Sequence, residues 1–543
     1  EIILSDNIFE NNYAAVVGKT FESMDFQGTL KLINSTFDVY SSEYGAVSLY
    51  WIEGHGSEID FSNGQGFLEA ITVDIYVDPV EGDDNNEGIM ESSPFKTIDY
   101  ALSRVYGDIE NQITVHLSAG IYAPSQNEER FPLRSLNYIS LIGEDQSEIK
   151  LNAESDLNSL NSVIELENLQ SVKLVNLTIS GGRNSFNANG FSGGGIHCTN
   201  STLILENVNI YDNWSWNGGG ISILDGSDVD IISSYIGNNF ATMRGGGVFT
   251  FLSGQLRIID TQIENNQAGG LAGGLSINFS NTTEIIGCII DYNTIVYNNL
   301  LWSGAAGIHL SNNVGKTIIK NCTIWGNSVY ENVYEWCPGC YVGGIYYFGM
   351  DLDVINSIIW SNFPNDIMTD SYDFERLNIE YSNLNQTISG TGNINVDPLI
   401  IDPVIDGNFH LYNNSPSVDA GNSFIIDNDW DGTRNDMGAY GGTSLDLNPY
   451  EIDFGEVGYG NTSFRQFSFS NYRSSSVIIN DAEFDEDLDG IFFLENMQIP
   501  TQIDGMSEET FLISFNPFEI IDGRDSAYTF YSGNLVLQSD EIA

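Results

Sequence analysis

GGGISILDGSDVDIISSYIGNNFATMRGGGVFTFLSGQLRIIDTQIENN, residues 218–266, carries one pattern twice over. A triplet of small residues closes on an apolar one (Ile221, Val248). Two short aliphatic runs follow, and an Ile then stands three residues before an Asn (Ile236/Asn239, Ile263/Asn266). Outward from this stretch the triplet recurs before Ile196, Leu275, Ile308 and Ile345, giving spacings of 25, 27, 27, 33 and 37 residues. The Ile/Asn pair recurs at Ile210/Asn213, Ile290/Asn293, Ile324/Asn327 and Ile359/Asn362. A fixed period of this size marks a stacked repeat, and each unit is one coil. The runs are β-branched, short and broken by Gly and Asn, so they are strands and not helices. Like strands stacked in parallel at about 4.8 Å would let each corner Asn bond the Asn above and below. The expected fold class is therefore all-β, a parallel β-helix. A leucine-rich repeat has a similar period, but its L-x-x-L-x-L frame and helical return leg are absent.

The flanks divide the chain. Residues 1–68 repeat the grammar (Ile8/Asn11, with small-apolar steps at Val16 and Val47) and read as the last coils of an upstream β-helix. Residues 73–448 read as the main β-helix, with an N-terminal cap and a closing segment. In the cap, Ser92 or Ser93 can start a helix with Pro94 in its first turn, and Phe95, Ile98, Leu102 and Val105 recur at helical spacing. Such a helix would cover the open end of the first coil. From 449 to 543 apolar and polar residues alternate over short strands, the pattern of a β-sandwich. The opening EIILSDNIFENN carries neither a basic leader nor a small-residue cleavage site and already reads as strand, as if cut from a longer protein.

Three stretches carry family resemblances. VDPVEGDDNNEG (77–88), SSPFKTIDYAL (92–102) and SAGIYAP (118–124) together resemble the cap of the pectin-lyase-like right-handed parallel β-helix proteins. That group includes polysaccharide lyases and many secreted surface proteins. VDPLIIDPVIDGNFHLYNNSPSVDAGN (396–422) with DWDGTRNDMGAYGG (429–442) is similar to the closing segment of bacterial secreted β-helix proteins that bear a surface-anchoring region. The stretch from 449 onward resembles the abnormal-spindle/hydin type of immunoglobulin-like domain. The resemblances imply a right-handed coil, an extracellular or cell-surface place in a bacterium, and a spacer domain for presentation.

Composition narrows the partners. The chain has 543 residues with 75 acidic and 18 basic side chains, a formal charge of −57. Phosphate-backbone recognition needs Lys and Arg to displace counterions, so nucleic acid is excluded as a partner. No run of about 18 apolar residues occurs, so no segment is expected to insert in a membrane. With 41% hydrophobic residues the chain can still bury a core, and the acid belongs on its surface. Acidity of this degree suits a saline exterior, where ions screen self-repulsion.

Alternation places the candidate ligand face. If the residue after each triplet points inward, the next points out, giving a column of His197, Ser222, Phe249, Ser276, His309 and Tyr346. Two residues on comes a second column of Thr199, Leu224, Phe251, Asn278, Ser311 and Phe348. Rows of rings, hydroxyls and amides suit a glycan, whose apolar ring faces stack while its hydroxyls need donors and acceptors. Trp214, Trp216, Trp302, Tyr330, Tyr334 and Trp336, before the triplets, add aromatics along one edge. The bland reading is that these insertions bury their own rings.

The leading functional expectation is a glycan-binding or adhesive scaffold without catalysis. The alternative is a polysaccharide lyase or glycoside hydrolase. A lyase needs a basic residue beside the sugar and commonly Ca²⁺, and His309, Arg244 and Asp225 are the least poor candidates. DNDWDG at 427–432 places Asp427, Asp429, Asp431 and Gly432 at positions 1, 3, 5 and 6 of a Ca²⁺ loop. Position 12 is Gly438, so the bidentate Glu is missing, and Asp436 is a further candidate ligand. The other reading of that loop is a polar turn. Cys288 and Cys322 share a column of neighbouring coils and read as a buried thiol pair, with a bridge as the alternative. Cys337 and Cys340 form a CPGC turn with no second half-site.

Overall fold

In the computed structural model each coil opens on a strand that follows a small-residue triplet: Ile196–Thr199, Ile221–Leu224, Val248–Phe251, Leu275–Asn278, Ile308–Ser311 and Ile345–Phe348. The structure describes residues 70–184, 193–296, 304–330, 341–369 and 376–404, parts of 407–539, and the backbone of short strands within 1–60. The opening strands pair in parallel without slippage, Ile196 on Ile221, then Val248, Leu275, Ile308 and Ile345. Among the described residues they belong to a 9-stranded front sheet. Two further strands per coil form a long sheet, for example Gln255–Ile259 and Gln262–Glu264, and a short strand such as Gln267–Ala268 belongs to a 5-stranded side sheet. The repeat read from the sequence is thus one coil of a parallel β-helix.

The corners explain the conserved grammar of the coil. Between long and side sheets, Asn213, Asn239, Asn266, Asn293, Asn327 and Asn362 stack, each Nδ2 donating to the next Oδ1 at 3.0–3.1 Å. Each of these Oδ1 atoms also accepts the main-chain N–H of the preceding Asn, so buried amide and backbone are satisfied together. Asp366 ends the ladder, accepting from Asn362 Nδ2 at 3.0 Å. The triplets are small because backbones crowd there: a Cβ on Gly220 would stand 2.7 Å from the carbonyl oxygen of Gly247. The corner within the long sheet carries a column of hydroxyls and thiols. Ser234 Oγ accepts from Val208 N at 3.1 Å and Thr261 Oγ1 from Ser234 N at 3.2 Å. Cys288 and Cys322 follow in that column as buried thiols outside any disulfide, donating to Ile258 O and Ile285 O, each at 3.3 Å.

The cap departs from the expectation in detail. Its helix is only Ile98–Leu102, capped by Thr97, whose side chain accepts from Tyr100 N at 3.2 Å. Neither Ser92 nor Ser93 starts it, because Phe95 is drawn into backbone pairing, donating to Tyr76 O at 2.9 Å and accepting from Asp78 N at 2.8 Å. The four apolar positions are nonetheless all buried. Glu129 holds the helix start, accepting from Ile98 N at 2.7 Å and Asp99 N at 2.9 Å.

The chain falls into two compact units, Glu1–Val354 with Ile359–Asn378 and Leu384–Ile388, and Ile355–Ile358 with Ile379–Asn383 and Ser389–Ala543. Within the first, Ile2–Ser5, Thr29–Ile33 and Glu58–Asp60 pair in parallel, Ile2 on Leu30 and Leu30 on Ile59. Within the second, Asn422 N and Gly438 N reach Asn356 Oδ1 and O at 2.7 and 2.8 Å. The second unit also holds two antiparallel sheets. Phe467, Phe469, Ile479, Ile503, Phe511 and Ile513 from both sheets form one core, which makes this region a β-sandwich.

Candidate functional site

The front sheet does turn its second and fourth residues outward, but the first outward column is covered. Phe249 and Ser276 are fully buried, His309 and Tyr346 nearly so, and His197 is half-buried. The expectation of an open face at the ligand candidates His197, Phe249, His309 and Tyr346 is therefore corrected. Ala305 and Val342, the first residues of their triplets, pack on Tyr346 with Met368 beside them, which accounts for the burial of that ring. The second column is more open, with Phe251 and Ser311 half-buried and Phe348 exposed, although Leu224 and Asn278 are buried.

Several polar groups of this column are buried without a hydrogen-bond partner among the described residues. The His309 ring lies on Tyr346, centroids 5.2 Å apart and planes 8° apart. Burial, aided by the nearby Arg244 charge, lowers its pKa to about 3, so the imidazole is neutral. Among the described residues none hydrogen-bonds His309 Nδ1, Ser222 Oγ, Thr242 Oγ1 or His197 Nδ1. The other nitrogen of His197, Nε2, lies 3.3 Å from Thr199 Oγ1. Burial lowers the His197 pKa, opposed by Glu165, Glu167 and Asp225.

The three catalytic candidates are not brought together. His309 and Arg244 interact, and burial lowers the Arg244 pKa. Asp225 is exposed at the corner after Leu224, in the coil of Ile221, and its charge acts on His197. Three steps of register, Ile221 to Val248 to Leu275 to Ile308, part it from His309, about 14 Å along the stack. Trp214 and Trp216 do not occupy an open loop; they are half-buried on the side-sheet strand Trp214–Asn217, and the Arg183 guanidinium covers Trp214 at 4.4 Å. Asp230 grips Arg257 through two 2.9 Å bonds and Asp228 accepts from Gln255 N at 2.7 Å, so those acids brace the coil.

Trp302, Trp336, Tyr334, Cys337, Cys340, Asp427, Asp429 and Asp431 lie outside the described residues. Asp436 is described, and its Oδ1 accepts from Asp419 N at 2.7 Å. Among the described residues no group of three or more His, Cys, Asp and Glu is placed to hold a metal, and no helix is long and apolar enough to cross a membrane.

One constellation escaped the sequence reading. Glu264 and Asp291 are register partners on adjacent coils of the long sheet. Tyr235 Oη donates to Glu264 Oε2 at 3.1 Å, Asn265 Nδ2 donates to Glu264 Oε1 at 2.8 Å, and Gln262 Nε2 donates to Asp291 Oδ1 at 3.3 Å. Burial, reinforced by Glu264, raises the Asp291 pKa to about 8. The signal was present: both acids directly follow the repeat's Ile (Ile263, Ile290), on the outward side of a strand read only for its corner Asn.

A family model described as a right handed beta helix region matches residues 161–357, and one for an uncharacterised family, DUF1565, matches 80–150. The solenoid is a right-handed parallel β-helix. Among solved structures the chain is similar to pectate lyase Pel9A at 13% identity and a TM-score of 0.38, over 68% of this chain and 97% of that one. It is also similar to a pectin methylesterase variant in complex with a hexasaccharide, at 12% identity and a TM-score of 0.26, over 60% and 94% of the two chains. No curated protein matches.

Proposed function

We propose that this chain is an extracellular scaffold of the bacterial cell surface that binds a neutral glycan along its front sheet without transforming it. One observation carries the reading: rings and buried polar atoms alternate in a single column, and among the described residues none hydrogen-bonds His309 Nδ1 or Ser222 Oγ. Sugar hydroxyls match such polar atoms and sugar faces match the rings. A His held neutral down to about pH 3 is a hydrogen-bonding group and a poor proton donor at ambient pH, which favours binding over catalysis. The net charge of −57 disfavours polyuronates and favours an uncharged chain. The resemblances at 396–442 and beyond 449 support the location and the role of the sandwich as a spacer. Ca²⁺ at Asp427, Asp429 and Asp431, with Asp436 as a further ligand, remains part of the proposal for the closing segment.

Affinity electrophoresis of the full chain in xylan, mixed-linkage β-glucan, galactomannan and polygalacturonate, with parallel assays for unsaturated products and reducing ends, tests this. Retardation by a neutral polysaccharide without product is the expected result. Migration unchanged in every gel, or product from any of them, ends the non-catalytic binding reading.

A second reading, glycoside hydrolysis, is favoured by the carboxyl pair alone. Their strands lie about 4.8 Å apart, which lets the two carboxyls approach the separation of about 5 Å between acid and nucleophile in retaining enzymes. In that reading Asp291 is the proton donor and Glu264 the nucleophile oriented by Tyr235, and loss of reducing-end release in Asp291→Asn identifies it.

A further inference from the structure

Leu252 and Phe279 break the rule of their own column. The residue after each front strand turns the coil in a left-handed backbone conformation: φ is 46° at Asn200, 47° at Asp225, 56° at Leu252, 56° at Phe279, 52° at Asn312 and 69° at Gly349. Asn, Asp and Gly adopt that conformation readily, whereas the Cβ of a bulky residue crowds the following carbonyl. Both side chains are also turned to solvent, 49% exposed at Leu252 and 40% at Phe279. Backbone conformation and hydration thus both oppose Leu and Phe here, and the turn has no need of them. Asn312, one coil beyond Phe279, makes the same bend with the same main-chain bond to the following coil.

Strain retained at an exposed position points to use. The ridge is continuous with the ligand face: Phe279 meets Phe251 edge-on at 5.5 Å, and Phe251 shares the outer side of its strand with Phe249. Phe348, 38% exposed, stands apart from this ridge, two coils beyond Phe279 and past Ser311. At its ends the same column supplies polar groups, the exposed Asp225 on one side and, on the other, Asn312, whose Nδ2 donates to Ser311 Oγ at 2.9 Å.

We infer that Leu252, Phe279 and Phe251 form an outer subsite on which the glycan held by the front sheet lays the apolar face of a further sugar ring. The inference rests on the proposed function and extends its site from the covered column to the open edge. A sugar is the occupant that fits: the platform is aromatic and apolar, its flanks offer hydrogen-bonding groups, and a second copy of a chain charged at −57 would be repelled.

The test is the double variant Leu252→Asn/Phe279→Asn beside His309→Ala, each in the full chain and each measured for melting temperature and for affinity to whichever of the four polysaccharides the wild type binds. Asn relieves the backbone and removes exposed apolar surface. The double variant is therefore expected to melt a few degrees higher and to bind about tenfold more weakly, while Phe279→Tyr binds as the wild type does. A melting point unchanged or lowered overturns the strain argument. Undiminished binding by the double variant while His309→Ala has lost it overturns the subsite and leaves the covered column standing. A wild type that binds none of the four overturns the underlying glycan reading, and the subsite falls with it. Concentration-dependent self-association that the double variant abolishes makes the ridge a copy interface and overturns the subsite.

Discussion

Asn266 Oδ1 accepts both the main-chain N–H and the side-chain Nδ2 of Asn239, each at 3.0 Å, while Asn266 Nδ2 donates to Ile236 O at 2.8 Å. One side chain thus satisfies three buried groups of the neighbouring coil. Asn266→Ala takes this partner from all three, although Asn239 Nδ2 keeps its bond to Ile210 O, and with about 1–3 kcal/mol per stranded group the expected loss is about 3 kcal/mol. A fall of several degrees in melting temperature by differential scanning calorimetry is the expected outcome. Asn266→Asp is no rescue, since a carboxylate cannot donate to Ile236 O. A melting point equal to wild type in both variants would remove the ladder from the account of stability.

The coil was legible in the sequence because stacking is a one-dimensional constraint. Gly220 and Gly247 must be small where backbones approach, and Asn239 and Asn266 must be Asn to bond one another, so both leave a periodic trace. The cover over Phe249 and His309 left none. Burial at those positions is set by three-dimensional packing, which a period of small residues and Asn does not report. Glu264 and Asp291 were visible as letters, but their coupling arises from burial, which the pattern of alternation does not report. Leu252 and Phe279 were equally visible; only the φ angle shows that they stand where their neighbours are Asn, Asp and Gly.

Buried carboxyls set the pH profile of stability. Burial raises the pKa of Glu129 to about 7, Asp260 to about 7, Asp291 to about 8 and Asp366 to about 6. Each folded-state value lies above the unfolded one, so the folded chain holds more protons. The stabilisation is full below the ordinary carboxyl range and is lost as pH rises through 6 to 8. His309 acts in reverse: its folded value is lowered, and its contribution is present above 6.5 and lost as pH falls toward 3. Melting temperature is therefore expected to peak in mildly acidic solution and to decline toward about pH 8.5, with a shallower decline in Asp291→Asn. A melting point that climbs with pH over that range contradicts the assignment.

Cys198, Cys288 and Cys322 are buried and in no disulfide, and burial pushes the Cys198 thiol up to about 12. Thiolate is the reactive form, so none of the three is expected to react with a maleimide in the folded chain, and all three to react after denaturation. Peptide mass mapping before and after guanidinium treatment reads this directly. Because Ser234 and Thr261 fill the same corner column, Cys288→Ser is expected to fold with a shift of at most about 1 kcal/mol. Failure of that variant to fold would mean that the corner requires sulfur.

The closing segment gives a metal test. Asp427, Asp429 and Asp431 alternate as in a Ca²⁺ loop, and a ligand that binds only the folded chain raises its melting temperature by mass action. Titrating Ca²⁺ into chelator-treated protein is expected to raise the transition by a few degrees, and Asp429→Asn to remove most of that response. Mg²⁺ at equal ionic strength separates binding from screening, since it dehydrates reluctantly and favours a smaller octahedral site. An equal rise with Mg²⁺, or a rise that survives Asp429→Asn, would assign the effect to screening of the −57 charge instead of to this loop.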